Sequence, residues 1–325
     1  MKRFLLAAAA AICICACSPK APKAGHVIFV GIDGMASWCV EAALSGEGFD
    51  TLAPPQLPNL RSIMEQGAYT FRKRSVMPSA SAINWASIFM GVPTEMHGYN
   101  QWNSTKPAIT AAETGVNGMP TTVFTALRAA RPEAVSAALY NWDGIGCVID
   151  TCAISSYEYF NPHFDGYSSE AYTAKAIDYL TGVRPDFYVL YYDELDAAGH
   201  TFGWGSPQYY ETLEKMDACL GQLIGALKDA GLWDDTVLVV SSDHGGTSRG
   251  HGGFTIRELE APYMLCGKGI KALGNMSATA PAAAPAASPA PAPYTMMQYD
   301  VAADLATLLG VPVPAHWRGR PTPAL

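Results

Sequence analysis

A glycine-rich loop with the sequence SSDHGGTSRGHGG, residues 241–253, contains an aspartate and two histidines directly after an apolar run, residues 236–240. Carboxylate and imidazole groups are ligands of zinc, iron and manganese, and glycines let a backbone bend closely around an ion. Asp243, His244 and His251 are therefore candidate metal ligands. The alternative from this stretch alone is a turn in which Asp243 caps the next helix and both histidines lie on the surface.

Two other apolar runs also lead into acidic residues. Residues 26–32 are followed by Asp33, and residues 186–192 lead into DELDAAGH, which contains Asp196 and His200. If the turn after the second run is helical, the four-residue spacing places Asp196 and His200 on one face, where they can share an ion. A turn aspartate and a solvated acidic loop are the alternative interpretations of these two segments.

A hydroxyl group with a possible chemical role follows another predicted strand, residues 68–76. Small polar residues precede a helical pattern, which places Ser81 near a helix N-terminus. Backbone N–H groups and the helix dipole favour an anion there, so that Ser81 is placed to attack a phosphorus centre and Asn84 to donate hydrogen bonds to its oxygens. Without partners nearby, Ser81 would be only an N-cap.

These candidate residues come from four separate segments, each at or just beyond the end of a predicted strand. The pattern predicts an α/β fold with a mostly parallel central sheet flanked by helices. In such a sheet the carboxyl ends of the strands share one edge, where active sites form. We therefore expect a centre for two divalent metal ions about 3.5 to 4 Å apart. Its candidate residues are Asp33, Ser81, Asp196, His200, Asp243, His244 and His251.

The composition is that of a globular protein that buries a large core. The chain has 325 residues, of which 49% are hydrophobic and 15% are charged, and its net charge is −8. Disorder is therefore not expected. The acidic balance and the lack of a dominant basic patch predict no nucleic-acid-binding surface, whereas a substrate held by bound cations is compatible with an acidic protein.

The first 17 residues have the pattern of a bacterial lipoprotein export signal. Basic residues precede an apolar run that ends in ICAC, residues 14–17, and this end resembles a lipobox in which Cys17 becomes the acylated first residue. A short tether, residues 18–25, follows. We expect membrane contact through this lipid anchor only, and Ser18 after the cysteine favours the outer membrane, with the domain facing the periplasm or the surface. The alternative is an ordinary cleaved signal.

We expect a single catalytic domain over residues 26–325. Residues 93–185 are rich in glycine, proline and aromatic residues, and we predict that they combine sheet elements with an embedded cap that shapes a substrate pocket. Residues 276–293 form an Ala/Pro-rich stretch that is expected to be a surface insertion. Cys147 and Cys152 are the only close pair of cysteines outside the export signal, and either a disulfide or two packed thiols is compatible with the sequence.

In combination these motifs resemble the alkaline phosphatase superfamily, and most of all its nucleotide pyrophosphatase/phosphodiesterase branch. That branch has a DG on the first strand, a nucleophile three residues before an asparagine, and the signatures PExHG, DxxGH and DHG. The similar motifs here are Asp33-Gly34, Ser81 with Asn84, PTEMHG at residues 93–98, DAAGH at residues 196–200 and DHG at residues 243–245. They span nearly the whole mature chain.

The resemblance implies a two-zinc centre. One zinc would be bound by Asp196, His200 and His251, and the other by Asp33, Asp243, His244 and the Ser81 oxygen. One zinc would lower the pKa of the Ser81 hydroxyl, which attacks phosphorus to form a phosphoserine, and the other would stabilise the departing oxygen. Asn84 and backbone amides near Ser81 would hold the nonbridging oxygens.

Two features of the chain depart from that branch. Ser81 stands where the branch usually has threonine, so a hydroxyl is kept while the substrate preference is less defined. The third histidine normally lies much farther downstream, whereas His251 follows His244 closely. If His251 is not a ligand, His316 is the only later histidine, and its surroundings are typical of a structural turn near the C-terminus.

The predicted function is metal-dependent hydrolysis of a small-molecule phosphodiester. A phosphomonoester dianion favours an arginine fork, but no arginine closely follows Ser81, and the neutral Asn84 suits a singly charged diester. Within the same superfamily, the alternatives are a phosphomonoesterase and a phosphonate hydrolase. A different class of protein, a binding lipoprotein that keeps the fold without turnover, is the remaining alternative.

Overall fold

The computed structural model describes residues 23–49, 53–163, 167–278 and 295–325. The predicted export signal with Cys17, most of the tether, and residues 279–293 of the Ala/Pro-rich stretch lie outside the described residues. Among the described helices, none is both long enough and apolar enough to cross a membrane.

A mixed sheet of eight strands forms the centre of the described part of the chain. The strands are β1 His26–Ile32, β2 Ala68–Arg74, β3 Ser136–Tyr140, β4 Ser156–Tyr159, β5 Phe187–Tyr192, β6 Thr236–Ser241, β7 Glu260–Gly267 and β8 Gly274–Asn275. Their order across the sheet is β4-β3-β5-β1-β6-β7-β2-β8. Only β7 runs antiparallel to its neighbours, β6 and β2, while the other pairs are parallel. The predicted α/β fold with a mostly parallel sheet is confirmed.

Helices cover both faces of the sheet. They are α1 Ser37–Ser45, α2 Pro58–Gln66, α3 Ser81–Met90, α4 Thr94–His97, α5 Val123–Ala130, α6 Ile145–Val148, α7 Ser169–Val183, α8 Glu194–Phe202, α9 Pro207–Asp229, α10 Ile256–Leu259 and α11 Asp300–Leu308, with 3₁₀ turns at Trp233–Asp235 and Met276–Ala278. Helices α3, α5 and α11 share one apolar core with the sheet. The other core contains side chains of α1, α2, α7 and α9. The molecule is therefore a three-layer α/β structure.

The central strands are apolar along their whole length because both of their faces are covered. In β1, Val27 and Phe29 point into one core, and Ile28 and Val30 point into the other. This burial on two sides explains why the strand reads as a continuous apolar run without alternation. Since β1 lies between β5 and β6 and parallel to both, the residues that follow these three strands meet at one edge of the sheet.

Residues 93–185 belong largely to the central layers. They supply β3 and β4 to the sheet and α5 and α7 to the two helical layers. The parts of this range that face the site described below are loops near residues 100–102 and Trp142. Cys147 and Cys152 form no disulfide, and Cys152 is exposed and not packed in a core.

Candidate metal centre and nucleophile

Three aspartates meet at the carboxyl edge of the parallel strands. Asp33 directly follows β1, Asp196 lies in the first turn of α8 after β5, and Asp243 follows β6; all three are buried. Each of them has one side-chain oxygen that is buried and has no hydrogen-bond partner in the described structure. A buried carboxylate oxygen without a partner is costly. This arrangement therefore fits residues that bind cations.

The second oxygen of Asp33 is fixed by the protein itself. Oδ2 accepts hydrogen bonds from Trp85 Nε1 at 2.9 Å and from the Tyr191 hydroxyl at 2.5 Å. Trp85 belongs to α3 and Tyr191 to β5, so two neighbouring elements hold the carboxylate in place. Oδ1, the oxygen without a partner, then faces His244 Nε2 at 3.5 Å.

Three histidines direct the same ring nitrogen into the site. The Nδ1 atoms of His200, His244 and His251 lie 3.0, 2.8 and 3.0 Å from the backbone oxygens of Arg249, Gly245 and Ser79. An Nδ1–H that donates to a carbonyl leaves Nε2 with a free lone pair, which is the usual state of a histidine that binds a metal. These hydrogen bonds orient all three rings so that Nε2 faces the site. At His200 the hydrogen bond with Asp196 raises the pKa to about 9, so a cation would displace a proton from this ring on binding.

The free atoms of these side chains form two adjoining groups. One group contains Asp196, His200 and His251, and the other contains Asp33, Asp196 and His244; within each group the ligand atoms lie within 4.8 Å of one another. Asp243 joins the second group, because its unpartnered Oδ2 is 3.0 Å from His244 Nε2. Asp196 lies in both groups, whereas the sequence had suggested it for only one of the two ions.

Ser81 lies at the same place. It is the first residue of α3, and its Oγ is 3.3 Å from His244 Nε2. The preceding residue, Ala80, has an extended backbone conformation and is the N-cap of the helix. Ser81 is thus inside the first turn, and its hydroxyl contacts a ring of the second ligand group.

The charges of the site favour added positive charge. Burial and the nearby Asp243 and Asp196 raise the pKa of Asp33 well above its usual value of 3.8. Burial and the charge of Asp196 raise the pKa of Asp243 to about 8. Burial lowers the pKa of His244 to about 3, so this ring is neutral at physiological pH. Asp33 and Asp243 therefore resist ionisation beside the neutral ring of His244, whereas the pKa of Asp196 is lowered. Carboxylates and imidazoles are ligands of divalent cations, whose charge would favour ionisation of the two aspartates, and the residues fit two such ions.

In the metal-free protein, we expect Asp243→Asn to raise the melting temperature at pH 8.5 by at least about 2 °C. Because the folded pKa of Asp243 lies above the unfolded value, its contribution to stability is full below pH 3.8 and is lost as the pH rises through about 8. The gain should therefore shrink towards pH 5. With excess zinc the same substitution should lower the melting temperature, because a ligand is lost.

Thermal melts of both proteins in chelator and in zinc, at pH 5 and 8.5, measure this effect. The comparison of variant with wild type at each pH removes the contributions of all other titrating groups. A metal-free Asp243→Asn protein that is less stable than wild type at pH 8.5 would contradict the raised pKa of Asp243 in the folded protein.

The structure corrects the predicted role of Asn84. Its side-chain oxygen accepts from Val76 N at 2.7 Å, and its amide nitrogen donates to the backbone oxygens of Val76, Pro78 and Ala80 at 3.0 to 3.3 Å. The residue is fully buried. Asn84 therefore holds the turn that leads into α3 and has no free group for a substrate, because the turn's backbone groups consume its hydrogen-bonding capacity.

A cavity of about 620 Å³ adjoins Ser81 and the candidate metal ligands. One residue of its wall was not predicted from the sequence. Asn100 lines this cavity, and its side-chain oxygen is buried without a hydrogen-bond partner in the described structure. The remainder of the wall includes the residues Trp102, Trp142 and Asp193. Only the position of Asn100 shortly after the PTEMHG motif could have indicated it.

The loop that carries Asn100 is also bonded to the helix of Ser81. The backbone N–H of Ala82 donates to Trp102 O at 3.0 Å, so this amide, next to Ser81, is already occupied. The expected contact between amides near Ser81 and a substrate must therefore exclude Ala82.

His316, the alternative to His251, lies elsewhere, with its Nε2 3.3 Å from Glu113.

The three-layer fold and these side chains define an alkaline-phosphatase-like α/β protein with a candidate centre for two cations. Residues 27–260 match the family described as type I phosphodiesterase / nucleotide pyrophosphatase. The chain belongs to this family, and the resemblance inferred from its motifs is confirmed.

Among curated proteins, the chain is similar to venom phosphodiesterase of Naja atra, with 28% identity over 209 residues, which cover 61% of this chain and 24% of that protein. It is also 28% identical over 199 residues to ectonucleotide pyrophosphatase/phosphodiesterase family member 1 of Mus musculus, covering 58% of this chain and 21% of that protein. The matched part thus spans about a quarter of the length of these relatives.

Solved structures with the same fold include an inactive form of murine ectonucleotide pyrophosphatase/phosphodiesterase 5 in complex with AMP. The TM-score is 0.67 at 17% identity, and the alignment covers 91% of this chain and 97% of the murine chain. A phosphonate monoester hydrolase from Silicibacter pomeroyi gives a TM-score of 0.61 at 15% identity, covering 91% of this chain and 75% of the other. At these identities the likeness establishes the fold alone.

Proposed function

We propose that the protein hydrolyses small-molecule phosphodiesters at a centre of two divalent cations, zinc in our assignment, with Ser81 as the nucleophile. The observation that carries this proposal is the position of the Ser81 hydroxyl, 3.3 Å from His244 Nε2. That ring nitrogen lies among carboxylate oxygens that have no partner in the described structure. Family membership adds support, since the family is named for phosphodiester and nucleotide pyrophosphate cleavage.

Asp196, His200 and His251 would hold one cation, and Asp33, Asp243, His244 and Ser81 the other, with Asp196 close enough to serve both. When bound, such cations acidify a hydroxyl group and stabilise negative charge on the phosphoryl and departing oxygens. Ser81 Oγ forms a bond to phosphorus as the bond from phosphorus to the leaving oxygen breaks, and the hydroxyl proton ends on the released alcohol. Water then displaces Oγ from the phosphoserine, which releases a phosphate monoester and restores Ser81.

The cavity supports a diester more than a monoester. The described residues that line it include no lysine or arginine, and they include the carboxyl group of Asp193 besides the proposed cation ligands. A dianionic monoester would lack a basic side chain there, whereas a diester brings one charge fewer. The volume of about 620 Å³ suits a small molecule, and the indole groups of Trp102 and Trp142 suit a flat or apolar leaving group such as a nucleoside.

Turnover of bis(p-nitrophenyl) phosphate against p-nitrophenyl phosphate by the zinc-loaded protein tests the proposed reaction. We expect kcat/KM for the diester to exceed that for the monoester by at least about tenfold, which corresponds to about 1.4 kcal/mol of selectivity. A preference for the monoester would replace our assignment with a phosphomonoesterase. Absence of turnover with either compound, in a protein that binds zinc, would favour a binding lipoprotein.

We also propose that the protein is exported and anchored by a lipid at Cys17, at the outer membrane. The support is the order of basic residues, apolar run and lipobox-like ICAC in the sequence. Labelled palmitate should enter the wild-type protein in cells and should not enter Cys17→Ser. Equal labelling of both proteins would refute this anchor.

A further inference from the structure

Lys73 is a buried basic residue that the proposed reaction does not use. It lies on β2 between Arg72, which is exposed, and Arg74, which is half-buried, and among the described residues it is the only lysine or arginine that is buried. The alternation along β2 explains its direction, because successive side chains of a strand point to opposite faces. A buried ammonium group is costly unless its environment compensates it, so its contacts indicate what it stabilises.

Those contacts lie directly behind the proposed metal ligands. The Lys73 ammonium group donates to Ser242 O at 2.6 Å and to the side-chain oxygen of Gln298. Gln298 Nε2 in turn donates to Asp243 O at 2.9 Å, and Ser75 Oγ donates to the same carbonyl at 2.7 Å. The backbone oxygens of the two residues that precede His244 are thus held by three side chains.

Lys73, Gln298 and Ser75, called the brace below, bond to the backbone oxygens of Ser242 and Asp243. They leave the side chain of Asp243 free to bind an ion. Asp243 Oδ1 accepts only at longer distances, 3.2 Å from Gly34 N and 3.4 Å from Ser242 Oγ, while Oδ2 has no partner among the described residues. The position of Oδ2 therefore depends on where the backbone of Asp243 is held. A shift of about 1 Å in that backbone would move Asp243 relative to His244. A metal site loses function when its ligands are displaced by about this distance.

Gln298 reaches this place from a distant part of the chain. Met297 forms a parallel bridge with Arg74 at the end of β2, and Gln298 N donates to Arg74 O at 2.8 Å. Asp300 fixes the same turn by accepting from Met297 N at 2.8 Å. Gln298 lies beyond residues 27–260, so the brace combines a strand inside the family match with a residue outside it.

We propose that Lys73, acting with Gln298, is a positioning residue that holds Asp243 and His244 in the geometry needed to bind one of the two cations. This inference rests on the proposed two-cation centre. A counter-ion role and a positioning role predict opposite results. If Lys73 only balanced negative charge, its removal would strengthen binding of a divalent cation by relieving repulsion, whereas loss of a brace weakens binding.

The test compares Lys73→Met and Gln298→Leu with wild type, and Arg72→Met serves as the matched control on the outer face of the same strand. Zinc stoichiometry and affinity are measured by titration and elemental analysis, together with melting temperature and turnover of bis(p-nitrophenyl) phosphate. We expect one zinc to bind as in wild type and the second to bind at least about tenfold more weakly in both variants, with kcat lowered about 10- to 100-fold. Excess zinc should restore part of the loss, and Arg72→Met should match wild type.

The inference is wrong if both variants bind two zinc ions with wild-type or higher affinity. If Lys73→Met does not fold, Gln298→Leu, which keeps the lysine, decides by the same measurements. A wild-type protein that binds fewer than two cations would refute the proposed function itself, whereas a two-zinc wild type with unaffected variants would refute only the role of Lys73 and Gln298.

Discussion

Replacing Ser81 with alanine is expected to lower kcat for bis(p-nitrophenyl) phosphate by about 10³-fold or more, because the reaction loses its nucleophile and not a binding contact. The hydroxyl group contacts His244 of one ligand group, and Ser81 is the only serine or threonine in the described cavity wall. Zinc content should fall little, because the aspartates and histidines remain. Steady-state kinetics, zinc analysis and thermal melts on one preparation measure all three quantities.

Ser37→Ala is a suitable control. Ser37 is also a buried first residue of a helix, in this case α1, and its hydroxyl has no hydrogen-bond partner in the described structure. The control should keep wild-type turnover, which separates the chemistry of Ser81 from the general effect of removing a buried hydroxyl at a helix start. Turnover within tenfold of wild type in Ser81→Ala would remove Ser81 from the mechanism.

Asp196→Ala should cause a comparable loss, about 10³-fold or more in kcat, by a different route. The carboxylate of Asp196 takes part in both ligand groups, so its removal should reduce zinc content from two ions to fewer than one. His200→Ala removes a ligand from one group only, and its side chain is 47% exposed. We therefore expect this variant to lose one zinc and to keep the other.

Elemental analysis after dialysis against a low zinc concentration distinguishes these variants, and circular dichroism verifies that both are folded. Asp178→Asn, at an exposed carboxylate of α7, serves as the control for the loss of an acidic residue. Two tightly bound zinc ions in Asp196→Ala would contradict the shared position of this carboxylate, whatever happens to turnover.

The sequence predicted that the three aspartates meet, because their positions follow from the geometry of a parallel sheet alone. Asp33, Asp196 and Asp243 each follow a continuous apolar run, and continuous apolar runs form the central strands of parallel sheets. Parallel neighbours end at the same edge, so the three carboxylates had to meet. The histidines came with them, because each is close in sequence to one of these aspartates.

The sequence could not predict how polar side chains share the hydrogen-bonding groups of a turn. Asn84 has the spacing of a substrate-binding residue, but the backbone before α3 requires its amide. Lys73 lies in the run FRKRS and has no local sign of burial. Alternation along the strand places Lys73 opposite Arg72 and Arg74, but which of the two faces is buried follows from the pairing of β2 with β7, which contains a register shift between Thr70 and Lys73. Gln298 approaches from beyond the Ala/Pro-rich stretch, a contact that no local pattern encodes.

The backbone hydrogen bond from Ala82 N to Trp102 O means that the main chain and the side chain of Trp102 have different roles. The main chain at Trp102 accepts a hydrogen bond from the helix that carries Ser81, while the residue, 57% exposed, also forms part of the cavity wall. A carbonyl is present whatever side chain the residue carries. We therefore expect substitutions at this position to change which substrates fit the proposed site while Ser81, the proposed nucleophile, keeps its place. Position 102 would then be a place where substrate range can change without altering the proposed metal ligands.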